Sequence, residues 1–468
     1  MTETHEQKLQ IAQQALEQAI PRAQADPARP RYHFTAPANW LNDPNGTIYH
    51  NNTYHLFYQH HPFSDNWGPM YWGHARSSNL MNWEHCPIAL APAGDGFENG
   101  VWSGCVAING QGQPVAIYTA STHPDGKDEN GFSQNAALSD ADLINWQKYA
   151  GNPMMTLEQH GPDFRQDWRD PFIFHEAGRT FMVIGMTGKG TPIYEASDDS
   201  LLKWELRGTL CDIDAECPNF FKVDDGKWLY LSSPFNNIEY AIGTFDIDQY
   251  RFNIEQQGHY DLSEFGHSDY YASNHLYGPD GRSILFGWIR GWEPGRGWNG
   301  CMGIPRQVKI DADGTLRTPP IKEFSYQRRS EVSLPEQTVG IHPYQVDFTH
   351  ENQYEIRGKL QLGETRSMGI GLRCPTGGQP KSALWLTEDG LHLDGIHIPL
   401  SAAELQQPVD VRLYMDHSVA ELFINDGKYC AVRVFKDFDP TEQGIRLFAD
   451  GGEAVFTDFH LWTIKETN

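Results

Sequence analysis

The chain has 468 residues, and its acidic side chains outnumber Lys and Arg by 25. That length allows two or three domains with a sizeable core, while so acidic a surface repels phosphate backbones and argues against nucleic acid as a partner. No apolar run reaches membrane-spanning length, and seven cysteines scattered at 86, 105, 211, 217, 301, 374 and 430, with no CxxC pair, predict reduced thiols and a cytoplasmic setting.

Residues 1–30 are polar and rich in Gln and Ala. Leu9, Ala12, Leu16 and Ile20 recur at helical spacing, predicting an amphipathic helix that ends near Pro21 and packs as an arm on the body. The segment lacks the basic start and apolar block of a secretory signal. Next comes "WLNDPNG", residues 40–46. Pro44 biases Asp43 towards an extended conformation, and Pro44-Asn45-Gly46 is turn chemistry, so Asp43 is expected at the mouth of a turn.

From here short apolar runs bounded by Gly, Asp, Asn and Pro dominate, which predicts an all-β protein. A polar turn followed by a short apolar strand occurs five times: "NNTYHLFYQ" (51–59), "GQPVAIYTA" (112–120), "AGRTFMVIGM" (177–186), "DGKWLYLSSP" (225–234) and "DGRSILFGWI" (280–289). A second echo, Ser then acids or amides then Leu then Trp, accompanies the first three copies at 77–84, 139–147 and 197–205. Two echoing elements per unit suggest a sheet-sized repeat, and a ring of such sheets buries faces that one sheet alone leaves open. The expectation is a five-bladed β-propeller over residues 31–330, a linker at 331–340 and a β-sandwich over 341–468. In the last segment Val409, Val411, Leu413 and Met415 share one face, and Asn425-Asp426-Gly427 marks a hairpin.

A propeller gathers the inner strands of all its blades around one channel. Asp43, Asp170 in "DWRDPFIF" and Glu216 in "DAECPNFF" each lie shortly upstream of a repeat strand, so the three acids are expected to converge there, with Arg169 beside them. Such a set suits either a calcium site or glycoside chemistry, in which a nucleophile and a proton donor flank one bond. No D-x-D-x-D-G loop is present, and tryptophans at 40, 67, 72, 102, 288, 292 and 298 offer faces for sugar.

These segments resemble glycoside hydrolase family 32, the invertases, sucrose-6-phosphate hydrolases and fructan hydrolases. "WLNDPNG" is similar to that family's signature of the same form; "FYQ" (57–59), "WSG" (102–104), "RDP" (169–171) and "ECP" (216–218) follow in the family's order, and "WGHARSSNLMNWE" resembles a further segment. The resemblance covers nearly everything after residue 30. It implies a five-bladed propeller with a C-terminal sandwich, and a retaining β-fructofuranosidase that releases terminal fructosyl units from sucrose and short fructans through a covalent fructosyl-Asp43 intermediate. Glu216 would be the acid/base, and Asp170 would bind sugar hydroxyls in the transition state. Trp40, Asn42, Gln59, Trp67, Trp102, Ser103, Arg169 and Trp298 would line the pocket. No metal or organic cofactor is implied; the partner is a small fructoside, not nucleic acid or membrane, and a homo-oligomer stays open. One departure is Asn219, where the family usually has Asp after E-C-P. Alternatives within the same chemistry are a fructosyltransferase and a fructan exohydrolase. A sugar-binding propeller without catalysis is disfavoured because all three acids are present.

Overall fold

The computed structural model describes residues 3–467 except 123–131, 161–163, 165, 166, 215, 225, 235 and 263–268. It is all-β apart from a long N-terminal helix, α1 (His5–Ala25), and short helical turns. A capping box starts α1: the Thr4 side chain accepts from the Gln7 N–H and the Gln7 side chain accepts from the Thr4 N–H. Ala12, Leu16 and Ala23 are buried on one face. The helix continues through Pro21, where the sequence predicts its end. Proline removes one N–H, but the last turn is held by burial of Ala23 and by Arg22 Nη2 donating to the Gly295 carbonyl at 2.5 Å. No described helix is long and apolar enough to cross a membrane.

Five antiparallel sheets follow. Their first strands are Asn39–His50, Gly100–Ile108, Arg169–Glu176, Asn219–Asp224 and Tyr270–Tyr277. Each lies beside the next, and the fifth lies beside the first, so the ring closes into a five-bladed propeller with these strands around its axis. The two-residue strand Trp298–Asn299 completes the closure by pairing in parallel with Asn39 and Trp40.

Both sequence echoes have a structural basis. The five repeated runs are the second strands of the five blades, Thr53–His61, Pro114–Ser121, Arg179–Gly185, Lys227–Ser232 and Ser283–Ile289. They are mostly buried because neighbouring blades cover both of their faces. The Leu-Trp echo is the turn into the outer strand of three blades. Leu80, Leu143 and Leu201 all take positive φ, of 66°, 57° and 61°. The indole N–H of Trp83, Trp146 and Trp204 donates to the carbonyl of that leucine at 3.1, 2.9 and 2.9 Å.

The C-terminal part is a sandwich of two six-stranded sheets. Residues 331–340, expected as a linker, lie almost wholly in the strand Arg328–Val339, which pairs along its length with Ala454–Ile464. Its alternation of exposed and half-buried side chains suits an outer strand better than a free connection. Val409, Val411, Leu413 and Met415 face the sandwich core as expected. The opposite face of that sheet is not solvated, however: Tyr414, Val419, Phe423 and Val432 pack against propeller residues. At this interface lies a fully buried ionic cluster. Arg306 joins Asp261 and Glu421, both at 2.8 Å, and His33 joins Asp416 through Nδ1 at 2.9 Å and Glu421 through Nε2 at 3.0 Å. Glu421 therefore acts within one chain, fastening sandwich to propeller.

Candidate active site

The inner strands do not run straight into the channel. Their pairing with the second strand slips at Leu41/Pro44, Val101/Gly104, Arg169/Phe172 and Tyr271/Asn274, the same place in four blades. A bulge at such a point turns side chains out of the regular alternation. Here the slips fall on Asn42–Asp43, Trp102–Ser103, Asp170–Pro171 and Ala272–Ser273. Asp170 and Ala272 have positive φ, as does Cys217 ahead of the fourth inner strand. The expected turn at Pro44-Asn45-Gly46 is instead part of the bulged strand, with a second slip between Asn45 and Ile48. Gly46 sits there at φ 50°, where a Cβ would lie 2.6 Å from Val106.

The result is a cavity of about 200 Å³ at one mouth of the channel. Asp43, Asp170, Glu216 and Arg169 all line it, so the four groups drawn from three blades do converge. Asn42, Gln59, Trp67, Trp102 and Ser103 line it too. Two of the expected residues do not. Trp40 stands behind the wall, donating from Nε1 to Asn42 Oδ1 at 2.7 Å. Trp298 is buried at 1% exposure, packs on Trp292 and donates towards Asp26 Oδ2 at 3.2 Å. Its place in the closing strand takes it to the end of α1 and away from the cavity. Trp288, one of the tryptophans read as a face for sugar, lines the cavity as well, and Tyr271 and Arg290 line it without having been singled out for it. The signal for Tyr271 was its place just ahead of a repeat strand, like the three acids.

Each carboxylate is held differently. Asp43 accepts from Ser103 Oγ at 2.6 Å and Asn42 Nδ2 at 3.1 Å, and Ser103 is itself fixed by Gln59 Nε2 at 2.8 Å. Asp170 accepts from the Cys217 N–H at 3.0 Å. Arg169 pairs through Nη2 with Glu216 Oε1 at 2.8 Å, and its Nε lies 3.6 Å from Asp170. Tyr271 Oη lies 2.5 Å from both Glu216 Oε2 and the Ser233 carbonyl. Burial raises the proton affinity of all three acids. Ser103, Asn42 and Cys217 oppose this at Asp43. Asp170 is pushed up to about 7 by burial, with Arg169 opposing and the charges of Glu216 and Asp43 adding to the rise. Glu216 is raised by burial against the pull of Arg169. With three acids buried together, full ionisation of the cluster is disfavoured even though Arg169 and Arg290 line the same cavity.

Asn219 does not reach the cavity. Its Nδ2 donates to the Cys217 and Ser273 carbonyls at 3.1 and 2.7 Å, and its Oδ1 accepts from the His275 N–H at 2.9 Å. It stitches the fourth blade to the fifth behind Glu216.

Residues 33–320 match the model of the glycosyl hydrolases family 32 N-terminal domain, and residues 380–463 match that of the family 32 C terminal. The chain belongs to glycosyl hydrolase family 32. Its similarity to family 32 proteins runs end to end. It is 31% identical to the sucrose-6-phosphate hydrolase of Escherichia coli over 98% of this chain and 99% of that one. Among solved family 32 structures, the Bombyx mori β-fructofuranosidase is 27% identical with a TM-score of 0.77, covering 98% of this chain and 99% of that one. The sucrose-6-phosphate hydrolase of Lactobacillus gasseri superposes with a TM-score of 0.82 at 22% identity over 97% of each chain, a likeness of fold.

Proposed function

We propose that this family 32 enzyme releases terminal β-D-fructofuranosyl units by double displacement. Asp43 attacks the anomeric C2 while Glu216 protonates the leaving oxygen. Glu216 then takes a proton from water, which frees the fructose from Asp43. The observation that carries this reading is that Asp43 and Glu216, from different blades, line one small cavity in contrasting settings. Asp43 takes hydrogen bonds from the neutral donors Ser103 and Asn42; at Glu216, burial and the charge of Asp43 favour the protonated form against the pull of Arg169 and Tyr271. Asp170, anchored by the Cys217 N–H and flanked by Arg169, is placed to accept hydrogen bonds from sugar hydroxyls. A cavity of about 200 Å³ suits one sugar ring, which favours terminal units. Sucrose, its 6-phosphate and short fructans are the substrates proposed, in keeping with relatives named sucrose-6-phosphate hydrolase, raffinose invertase and levanase. Seven free cysteines support a cytoplasmic location.

The test is turnover of sucrose, sucrose-6-phosphate, 1-kestose and inulin by wild type, Asp43→Asn and Glu216→Gln, with released glucose and fructose measured. Each variant is expected to lose about 10⁴-fold or more in kcat, as removal of a nucleophile or of the group that activates the leaving oxygen does. Near wild-type turnover by Asp43→Asn on every fructoside would remove it as nucleophile.

A further inference from the structure

Far from the catalytic cavity, on the outer face of the sandwich, lies "DGLHLDGIH", residues 389–397. The strands Gly390–Leu393 and Ile396–Pro399 form a hairpin at the edge of the second six-stranded sheet. Asp394 and Gly395, both at positive φ, make its two-residue turn. That turn sets His392 directly opposite His397. Leu391, Leu393, Ile396 and Ile398 point into the sandwich core, so alternation places both imidazoles on the outside. The two rings stack with centroids 4.6 Å apart, and Trp385 on the next strand stacks on the far side of His392 at 5.1 Å.

Asp389, in the turn before the hairpin, completes the group. Its Oδ1 is 3.2 Å from His392 Nε2 and its Oδ2 is 3.8 Å from His397 Nε2. Among the described residues, this is the one set of three His, Cys, Asp or Glu side chains whose donor atoms all lie within 4.8 Å of one another. Ligands of a tetrahedral zinc ion, each about 2.0–2.2 Å from the metal, are about 3.4 Å apart. The rings lie 11° from parallel, with His392 Nε2 3.1 Å from Thr387 Oγ1 and His397 Nε2 3.2 Å from the Asp389 carbonyl, so each imidazole turns about its side-chain bonds to aim Nε2 at one ion.

We propose that Asp389, His392 and His397 form a surface site for a divalent transition metal ion of the zinc type. Two imidazole nitrogens and one carboxylate oxygen supply three ligands, and a fourth position is left to water. Two nitrogen donors disfavour Mg²⁺ and Ca²⁺, which prefer all-oxygen shells. The ion ties the sheet's outermost strand to the preceding turn. It has no part in glycoside cleavage, since none of its ligands lines the catalytic cavity.

The experiment is calorimetric titration of tag-free, chelator-treated full-length protein with ZnCl₂ at pH 7.5, with CaCl₂ and MgCl₂ as parallel probes and sucrose turnover as a check on folding. One saturable zinc equivalent is expected, with no calcium or magnesium isotherm. His392→Gln and His397→Gln should each weaken zinc binding by at least the roughly 10–100-fold that loss of even an outer-shell partner costs, and Asp389→Asn should also weaken it. His342→Ala, outside the group, should leave the isotherm unchanged, and sucrose turnover should be unaffected in all four variants. Co²⁺ loading should give the visible bands of a tetrahedral ion in wild type and not in the His392→Gln/His397→Gln double variant. Absence of saturable zinc binding, or a wild-type isotherm in the double variant, overturns the proposal.

Discussion

His33 offers a test of how the two parts of the molecule are fastened. Both of its ring nitrogens face carboxylates, Asp416 at 2.9 Å and Glu421 at 3.0 Å, with no exposed side-chain surface. Burial alone would lower its proton affinity, but the hydrogen bonds to Asp416 and Glu421 outweigh it and raise the pKa from 6.5 to about 9. A group whose pKa rises on folding stabilises the fold fully below its unfolded value, and the contribution fades as pH climbs through the folded one. The interval from 6.5 to about 9 corresponds to roughly 3 kcal/mol. With an unfolding entropy of about 2.1 cal/mol/K per residue, a chain of 468 residues shifts by about 3 °C in thermal midpoint for that energy. Asp416 and Glu421 are held below the ordinary carboxylate range, opposing their burial, through hydrogen bonds from His33 and, at Glu421, the charge of Arg306. They therefore titrate outside this window. The assay is differential scanning calorimetry of wild type and His33→Gln at pH 6 and pH 9.5. Wild type should be the more stable at pH 6, and the gap between the two should shrink by about 3 °C at pH 9.5. A gap of constant size would refute a charged His33 at the interface.

Three further outcomes are expected. Because burial raises both Asp43 and Glu216, the kcat/KM profile for sucrose should be bell-shaped, with each limb above the ordinary pKa of its carboxyl type; an acid limb below pH 4 would contradict the burial of Asp43. Tyr271→Phe removes a hydroxyl 2.5 Å from Glu216 that favours the ionised carboxylate. The alkaline limb should move up in pH, and an unmoved limb would show that Tyr271 does not govern the acid. Asn219→Asp replaces a donor to two buried carbonyls by an acceptor. It should cost about 2–4 kcal/mol of stability, read as a lower thermal midpoint with the fructoside preference unchanged; a changed preference with an unchanged midpoint would place Asn219 in substrate recognition instead.

Much of this architecture was legible because its causes are local. Second strands sandwiched between blades need apolar residues on both faces, and that requirement makes "HLFYQ" and "WLYLS" look alike. The Leu-Trp turns recur because a left-handed leucine exposes a carbonyl that an indole three residues on can reach. Asp43, Asp170 and Glu216 were legible together because each precedes such a strand. What the sequence hid depends on contacts between distant segments. Nothing near Trp298 announces that it pairs with Asn39–Trp40 and faces Asp26. The bulges that turn Asp43 and Ser103 inward arise from the fit of each inner strand to the ring. Residues 331–340 carry too few apolar side chains to resemble a strand, and become one because Ala454–Ile464 offers a free edge. Arg290 and Tyr271 reach the cavity from the fifth blade.

The short parallel clasp between Asn39–Trp40 and Trp298–Asn299 has a bearing on biosynthesis. The segment carrying Asp43 leaves the ribosome some 250 residues before the strand that locks it in place. A nascent chain therefore carries all three cavity carboxyls well before the ring of blades can close around them, and the cavity is completed only when the latch forms.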